Sequence, residues 1–121
     1  MKELEVGELE GTLVADLGSD FSSYLLNWRE GDGMEKLPGG ESLMDVRSRT
    51  WSFVEQLKER HTGIVVAVSH YFVILSVICV ALGLPPSGIR RFRISVSSIS
   101  ILDFKNDKPT LNLLGDTCHL E

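Results

Sequence analysis

One uncharged apolar stretch constrains this chain more than any other feature. It begins with the β-branched sequence Ile-Val-Val-Ala-Val-Ser at 64–69, is interrupted at His70, and resumes over 72–82. A short run rich in valine and isoleucine is typical of a strand buried on both faces, the kind that forms parallel sheets. The sequence therefore predicts a strand at 64–69, a helix at 72–82, and His70 at the strand's carboxyl end, where α/β sheets bind ligands.

The same stretch also fits a membrane span, because the 21 residues of 64–84 carry no formal charge and about 20 apolar residues can cross a bilayer. Against this alternative, the polar pair at 69–70 divides the stretch, and Gly-Leu-Pro-Pro at 83–86 is a helix stop. The composition also changes at the interruption, from β-branched residues to a mixed apolar set. We therefore predict no membrane contact.

Composition bounds the class of protein. The 121 residues suit a single domain, 1–121, with a modest core. Twelve basic and 17 acidic residues give a net charge of -5, which argues against non-specific nucleic-acid binding, and the arginine cluster at 90–93 is interpreted as a solvated face. Cys79 and Cys118 form neither a disulfide framework nor a metal-ligand spacing. We expect a cytoplasmic protein with no metal, no cofactor and no nucleic-acid partner.

Helical and strand patterns alternate along the rest of the chain. A helix after Gly40 is predicted to begin at Ser42, with Asp45 in the capping-box position, and to end at Gly63. The order helix, strand, helix is that of a parallel α/β sheet. We predict an α/β fold, a three-layer sandwich around a mostly parallel sheet. The other predicted elements are a helical pattern at 12–28 and strands at 92–96, 99–103 and 110–114.

Three motifs, in this order and at these distances, resemble the histidine phosphatase superfamily, the branch of phosphoglycerate mutases and small broad-specificity phosphatases. The first is the acidic loop, residues 3–11, which places two glycines among four glutamates and in isolation is better interpreted as an acidic surface loop. The second is Pro-Gly-Gly-Glu-Ser at 38–42 followed by Arg49, and the third is Val-Ala-Val-Ser-His at 66–70.

The resemblance implies roles for two residues. In that family a phosphoryl group is transferred to one histidine, while a second histidine holds the phosphate oxygens and a carboxyl group acts as general acid. By position, His70 matches the phosphate-holding histidine and Glu3 matches the acid. An imidazole N–H can stabilise charge on the phosphate oxygens, and a carboxyl group near other acids can keep its proton near neutral pH. The alternative for His70 is a histidine satisfied within the core.

The sequence also departs from the family pattern. The family's nucleophile lies in an Arg-His-Gly motif after its first strand, and this motif is expected to precede the present sequence. Neither His61 nor His119 has the strand-to-loop context that could replace it, and Tyr71 stands where the family commonly has glycine. The sheet should therefore be incomplete on its N-terminal side, with an open edge that could pair with a second copy.

These observations predict the C-terminal part of a phosphoglycerate mutase-like phosphatase, which hydrolyses small phosphomonoesters through a phosphohistidine and is inactive as this chain alone. The short spacing between Gly11 and Pro38 favours a phosphatase over a mutase. The expected ligand is a small phosphorylated substrate or inorganic phosphate. The alternative is a non-catalytic remnant that binds a phosphate ligand or a protein.

Overall fold

The computed structural model describes residues 1–11, 33–105 and 108–120. The helical pattern predicted at 12–28 lies outside the described residues. Short 3₁₀ turns occupy Gly7–Leu9, Pro86–Arg91 and Cys118–Leu120. The helices and strands are α1 (Leu43–Arg60), α2 (Tyr71–Ala81), β1 (Ile99–Asp103) and β2 (Thr110–Asp116).

Helix α1 begins where its capping box predicts. The Ser42 hydroxyl accepts a hydrogen bond from the Asp45 N–H at 3.0 Å, and the Asp45 carboxylate accepts one from the Ser42 N–H at 2.9 Å. Two N–H groups of the helix start are thereby satisfied reciprocally, which confirms the predicted cap. The helix ends at Arg60, earlier than Gly63, because the backbone of His61 is already extended.

The core lies where α1, α2 and the acidic loop pack together. An aliphatic side chain stabilises the fold by about 1.5–3 kcal/mol when it is fully buried. Leu4 of the acidic loop belongs to this cluster, so the loop is fixed to the helices by an apolar anchor. The buried cluster consists of Leu4, Leu37, Leu43, Val46 and Val73.

Within the described residues the only sheet is the antiparallel pair of β1 and β2, with Ile101 opposite Leu113 and Asp103 opposite Thr110. The strand predicted at 99–103 is confirmed, and the last strand extends two residues beyond the predicted 114. The strand predicted at 92–96 is wrong, because residues 92–95 form no ladder and the chain turns at Ser97, which has φ +59°. The mostly parallel sheet stays a prediction.

The structure departs most from the prediction at 64–69, which belongs to no strand. A strand satisfies its backbone N–H and C=O groups through neighbours, and no described residue forms a ladder with this one. We call Ile64–Val68 the apolar run; Ile64 is 97% exposed and Val66 is 85% exposed. Among the helices that the structure describes, none has the length and apolar character needed to cross a membrane.

Candidate active site

The two residues implied by the family resemblance meet at the N-terminus of α2. His70 is the N-cap residue, and its carbonyl oxygen accepts the first helical hydrogen bond from the Ile74 N–H at 2.9 Å. Glu3 reaches the same helix end from the acidic loop, where its Oε2 accepts a hydrogen bond from the Phe72 N–H at 3.2 Å. A carboxylate is stabilised there by unpaired N–H groups and by the positive end of the helix dipole.

Glu3 is held at both carboxylate oxygens. Its Oε1 accepts a hydrogen bond from the Leu4 N–H at 2.8 Å, while Oε2 is bound to Phe72. The imidazole of His70 is exposed and makes no capping hydrogen bond. The result is an anchored carboxylate at a helix end whose N-cap residue is an exposed histidine, so one helix end carries a group that can transfer a proton and a group that can bind an anion.

Two further contacts join the start of the chain to the end of the apolar run. The amino group of Met1 donates to the Val68 carbonyl oxygen at 3.2 Å, and the Ser69 hydroxyl donates to the Met1 carbonyl oxygen at 3.3 Å. Residues 1–3 therefore lie alongside 68–72. This proximity places the acidic loop at the point where the apolar run enters α2.

Arg49 and Glu41 hold the acidic loop from the side of α1. Arg49 forms a bidentate ion pair with Glu41, with Nε to Oε1 at 2.7 Å and Nη2 to Oε2 at 3.1 Å. Its Nη1 and Nη2 also donate to the carbonyl oxygens of Lys2 and Glu3 at 2.8 and 2.9 Å. The Glu41 carboxylate in turn accepts from the Glu5 N–H at 2.9 Å. The hydrogen bond from Arg49 is the main reason that the pKa of Glu41 is lowered, against the opposing effect of burial.

Glycine is required where the second motif touches the acidic loop. The Glu41 N–H donates to the Glu5 carbonyl oxygen at 2.8 Å, which brings two backbones together. A methyl group at Gly40 would overlap that carbonyl oxygen, and one at Gly7 would overlap Pro38 and Gly39. Gly7 also has φ +57°, a conformation that favours glycine. The acidic loop and the second motif therefore touch through their backbones, and this contact requires glycine at both positions.

The role of Arg49 does not follow from the sequence alone, although the residue belongs to the second motif. Its distance of eight residues from Glu41 is the available signal. Glu41 precedes the N-cap Ser42, and the side chains of a helix lean toward its N-terminus, so the long side chain of Arg49 can reach back past the helix start.

The structure also places the remaining histidines and Tyr71. His61 is the C-cap residue of α1, and His119 Nε2 lies 2.8 Å from the Ser97 carbonyl oxygen. No described contact joins either histidine to His70 or Glu3. The Tyr71 ring packs edge-on against Phe72, with centroids 5.4 Å apart. Among the described residues there is no group of three or more histidine, cysteine, aspartate or glutamate side chains that could hold a metal ion.

Comparison with known proteins identifies the class of protein. Residues 1–117 match the histidine phosphatase superfamily (branch 1), and the chain therefore belongs to that family. It is 29% identical to phosphoserine phosphatase 1 of Hydrogenobacter thermophilus over 119 residues, which cover 98% of this chain and 56% of the relative. It is 27% identical over 128 residues to a protein of Proteus mirabilis named "Probable phosphoglycerate mutase", covering 99% of this chain and 59% of that one.

Solved structures show the same fold. A mycobacterial glucosyl-3-phosphoglycerate phosphatase in complex with inorganic phosphate superposes with a TM-score of 0.79 at 24% identity, covering 96% of this chain and 62% of that one. A phosphoserine phosphatase variant from Entamoeba histolytica in complex with phosphoserine superposes with a TM-score of 0.73 at 22% identity, covering 88% and 54%. The chain thus spans somewhat more than half the length of these relatives.

Proposed function

We propose that this chain is the C-terminal part of a cytoplasmic histidine phosphatase that hydrolyses small phosphomonoesters through a phosphohistidine. The observation that carries the proposal is the meeting of Glu3 and His70 at the start of α2, where Glu3 Oε2 accepts from the Phe72 N–H at 3.2 Å. Relatives named as a phosphoserine phosphatase and a phosphoglycerate mutase support phosphate-ester chemistry.

In the proposed reaction, a histidine nitrogen attacks phosphorus and the bond from phosphorus to the ester oxygen breaks. Glu3 gives its proton to that leaving oxygen, and His70 stabilises charge on the other phosphate oxygens. Water then attacks phosphorus and the phosphorus–nitrogen bond breaks, while Glu3 takes the proton of the water. The two N–H groups that bind the Glu3 carboxylate suit this second half, in which Glu3 acts as the base.

The attacking histidine in this scheme is supplied by an Arg-His-Gly segment outside the present sequence. The exposed apolar run supports this part of the proposal, because an uncharged β-branched segment is typical of a strand with neighbours on both edges. With such a segment in place, 64–69 would be an interior strand of a mostly parallel sheet. Translation of the DNA upstream of Met1 in all frames tests it directly, and an upstream region without Arg-His-Gly would favour the second candidate.

The second candidate is a non-catalytic module that binds a protein or a phosphate ligand. The exposure of Ile64, Val66 and Val68 favours protein binding, since all three are at least 85% exposed and exposed apolar patches mark interaction sites. Because both candidates predict no turnover by this chain alone, the two are separated by whether an Arg-His-Gly segment is present upstream of Met1 or in a partner chain.

The first test is an assay of p-nitrophenyl phosphate hydrolysis by the purified chain, with His70→Ala as control. We expect no turnover above background, because Glu3 and His70 can give a proton or hold charge but no described group at α2 is placed to attack phosphorus. Turnover that His70→Ala abolishes, with acid-labile phosphate trapped on His61 or His119, would overturn this assignment of the nucleophile.

The second test measures the binding of sulfate by NMR titration at constant pH. The resonances of His70 and Phe72 should move, because an imidazole N–H and the N-terminus of a helix both bind anions. His70→Ala should weaken this binding, whereas the matched control His61→Ala should retain it. Titration that moves neither His70 nor Phe72 would remove the anion site from the proposal.

A further inference from the structure

We propose that Arg49 and Glu41 are positioning residues, which set the Glu3 carboxylate against the N-terminus of α2 beside His70. The inference takes the catalytic role of Glu3 from the proposed function, whereas the contacts that position Glu3 are observed independently of that function. Neither side chain reaches His70, so both act through the backbone of the acidic loop.

The guanidinium group of Arg49 connects three parts of the molecule. It is carried by α1, it pairs with Glu41 through two parallel bonds, and it donates to the carbonyl oxygens of Lys2 and Glu3. Glu41 completes the arrangement, because its carboxylate accepts a hydrogen bond from the Glu5 N–H and its own backbone N–H donates to the Glu5 carbonyl oxygen. The backbone is thus held immediately before, at and beyond Glu3.

Burial of Leu4 explains why such a device is needed. Leu4 is 7% exposed and anchors the loop in the core, and Met1 and Val6 pack against the same cluster, but apolar contacts are non-directional and leave the carbonyl groups of the loop free to turn. The hydrogen bonds from Arg49 to the carbonyl oxygens of Lys2 and Glu3 remove that freedom. They leave the carboxylate of Glu3 directed at the Phe72 N–H on the other side.

The chemistry requires an arginine. A planar guanidinium group presents several N–H donors in a fixed fork, whereas a lysine ammonium is a point charge that cannot hold a carboxylate by two bonds and two carbonyl groups together. The side chains of Arg49 and Glu41 are 30% and 23% exposed, so the pair is shielded from much of the solvent that weakens surface ion pairs.

The test uses the 121-residue chain and the amide resonance of Phe72, which reports the bond to Glu3. Glu3→Ala gives the position of this resonance when the bond is absent. We expect Arg49→Lys to move the Phe72 resonance most of the way to that position and Glu41→Gln to move it part of the way in the same direction. The Ile74 amide, which donates to the His70 carbonyl within the helix, should stay in place in both variants.

Ser42→Ala is the matched structural control, because it removes the cap of α1 and lowers stability without touching the acidic loop. It should leave the Phe72 resonance unchanged. A folded Arg49→Lys protein with an unmoved Phe72 resonance, or an equal movement in Ser42→Ala, would overturn the positioning role. If Arg49→Lys does not fold, Glu41→Gln supplies the same readout.

Failure of the proposed function gives a different result. If sulfate moves no resonance at His70 while Arg49→Lys still displaces Phe72, the phosphate site falls and the positioning of Glu3 stands. If sulfate binds at His70 in the native chain and equally in Arg49→Lys with Phe72 unmoved, the phosphate site stands and the positioning role falls.

Discussion

Two regions of this chain have the same kind of side chains and opposite surroundings. The cluster at α1 and α2 buries its aliphatic residues almost completely, with Leu43 at 1% exposure, whereas Ile64 in the apolar run is 97% exposed. A helix satisfies its own backbone hydrogen bonds, so α1 and α2 need only one apolar face each to pack. A strand needs neighbours for its backbone as well as its side chains. An apolar sequence therefore predicts that burial would stabilise a segment. Whether the segment is buried depends on the other elements that are available to pack against it and pair with it.

The largest expected effect compares Leu43 with Ile64, whose side chains contain the same number of carbon atoms. Leu43→Ala should lower the free energy of unfolding by about 2–5 kcal/mol, because it removes buried contacts and leaves a cavity. Ile64→Ala should change it by less than about 0.5 kcal/mol, as for other exposed positions. Urea denaturation of the two variants measures both values.

The outcome of that pair tests the contrast directly. Equal losses in the two variants would show that the apolar run is buried in solution, either in the chain itself or against another molecule. Repeating the denaturation at several protein concentrations separates these cases, since burial between molecules makes stability depend on concentration.

The same contrast explains how much of the fold could be predicted. The cap of α1 at Ser42 and Asp45, the helix α2 and the strand β1 follow from local chemistry, and the structure confirms them. Helix α2 spans Tyr71–Ala81, one residue earlier at each end than the predicted 72–82. The strand at 64–69 depends on pairing partners that its own sequence cannot supply. Residues 92–96 alternate as a strand should, yet they form no ladder in the described part of the chain.

Self-association is the next effect in size. An unpaired apolar segment is a template for pairing with a second copy, so the chain should associate as its concentration rises. Val66→Lys should reduce this association, because a charge disfavours pairing along the run. Val96→Lys is the matched control, since Val96 is 89% exposed against 85% for Val66 but lies at a turn.

Sedimentation velocity over a wide concentration range measures the association. A chain that stays monomeric throughout contradicts the expected pairing. Association that Val96→Lys reduces as much as Val66→Lys would place the contact elsewhere than the apolar run.

The candidate site was predictable to a different degree from the fold. Glu3 and His70 follow from the resemblance of two motifs, and the structure brings both residues to one helix end. The contribution of Arg49 could not be predicted, because it depends on carbonyl groups of the acidic loop, which any sequence would present equally. Contacts to backbone atoms constrain residue type only weakly, so the sequence does not reveal them. The exception is a position where glycine is required, such as Gly40.

The smallest expected effect is the acid dependence of stability contributed by Glu41. Its pKa lies below the ordinary value of 4.5 in the folded chain, chiefly because Arg49 donates a hydrogen bond to its carboxylate. The unfolded chain therefore binds more protons in this range, so the stabilising contribution is complete above about pH 4.5 and is lost as the pH falls through the lowered pKa. Glu41→Gln should cost on the order of 1 kcal/mol at neutral pH and progressively less toward acid, where the two proteins converge. Asp45, whose pKa is also lowered, mainly by the Ser42 N–H, adds an acid-sensitive background common to both proteins.

Glu55→Gln is the control: it removes an exposed ion pair with Lys58 at 3.2 Å and should change stability by less than about 0.5 kcal/mol. Thermal unfolding of the three proteins from neutral pH into the acid range measures these differences. If the gap between the native chain and Glu41→Gln does not narrow toward acid, ionised Glu41 is not what holds the acidic loop against α1, and the contrast between the held loop and the unpaired run then rests on the buried cluster alone.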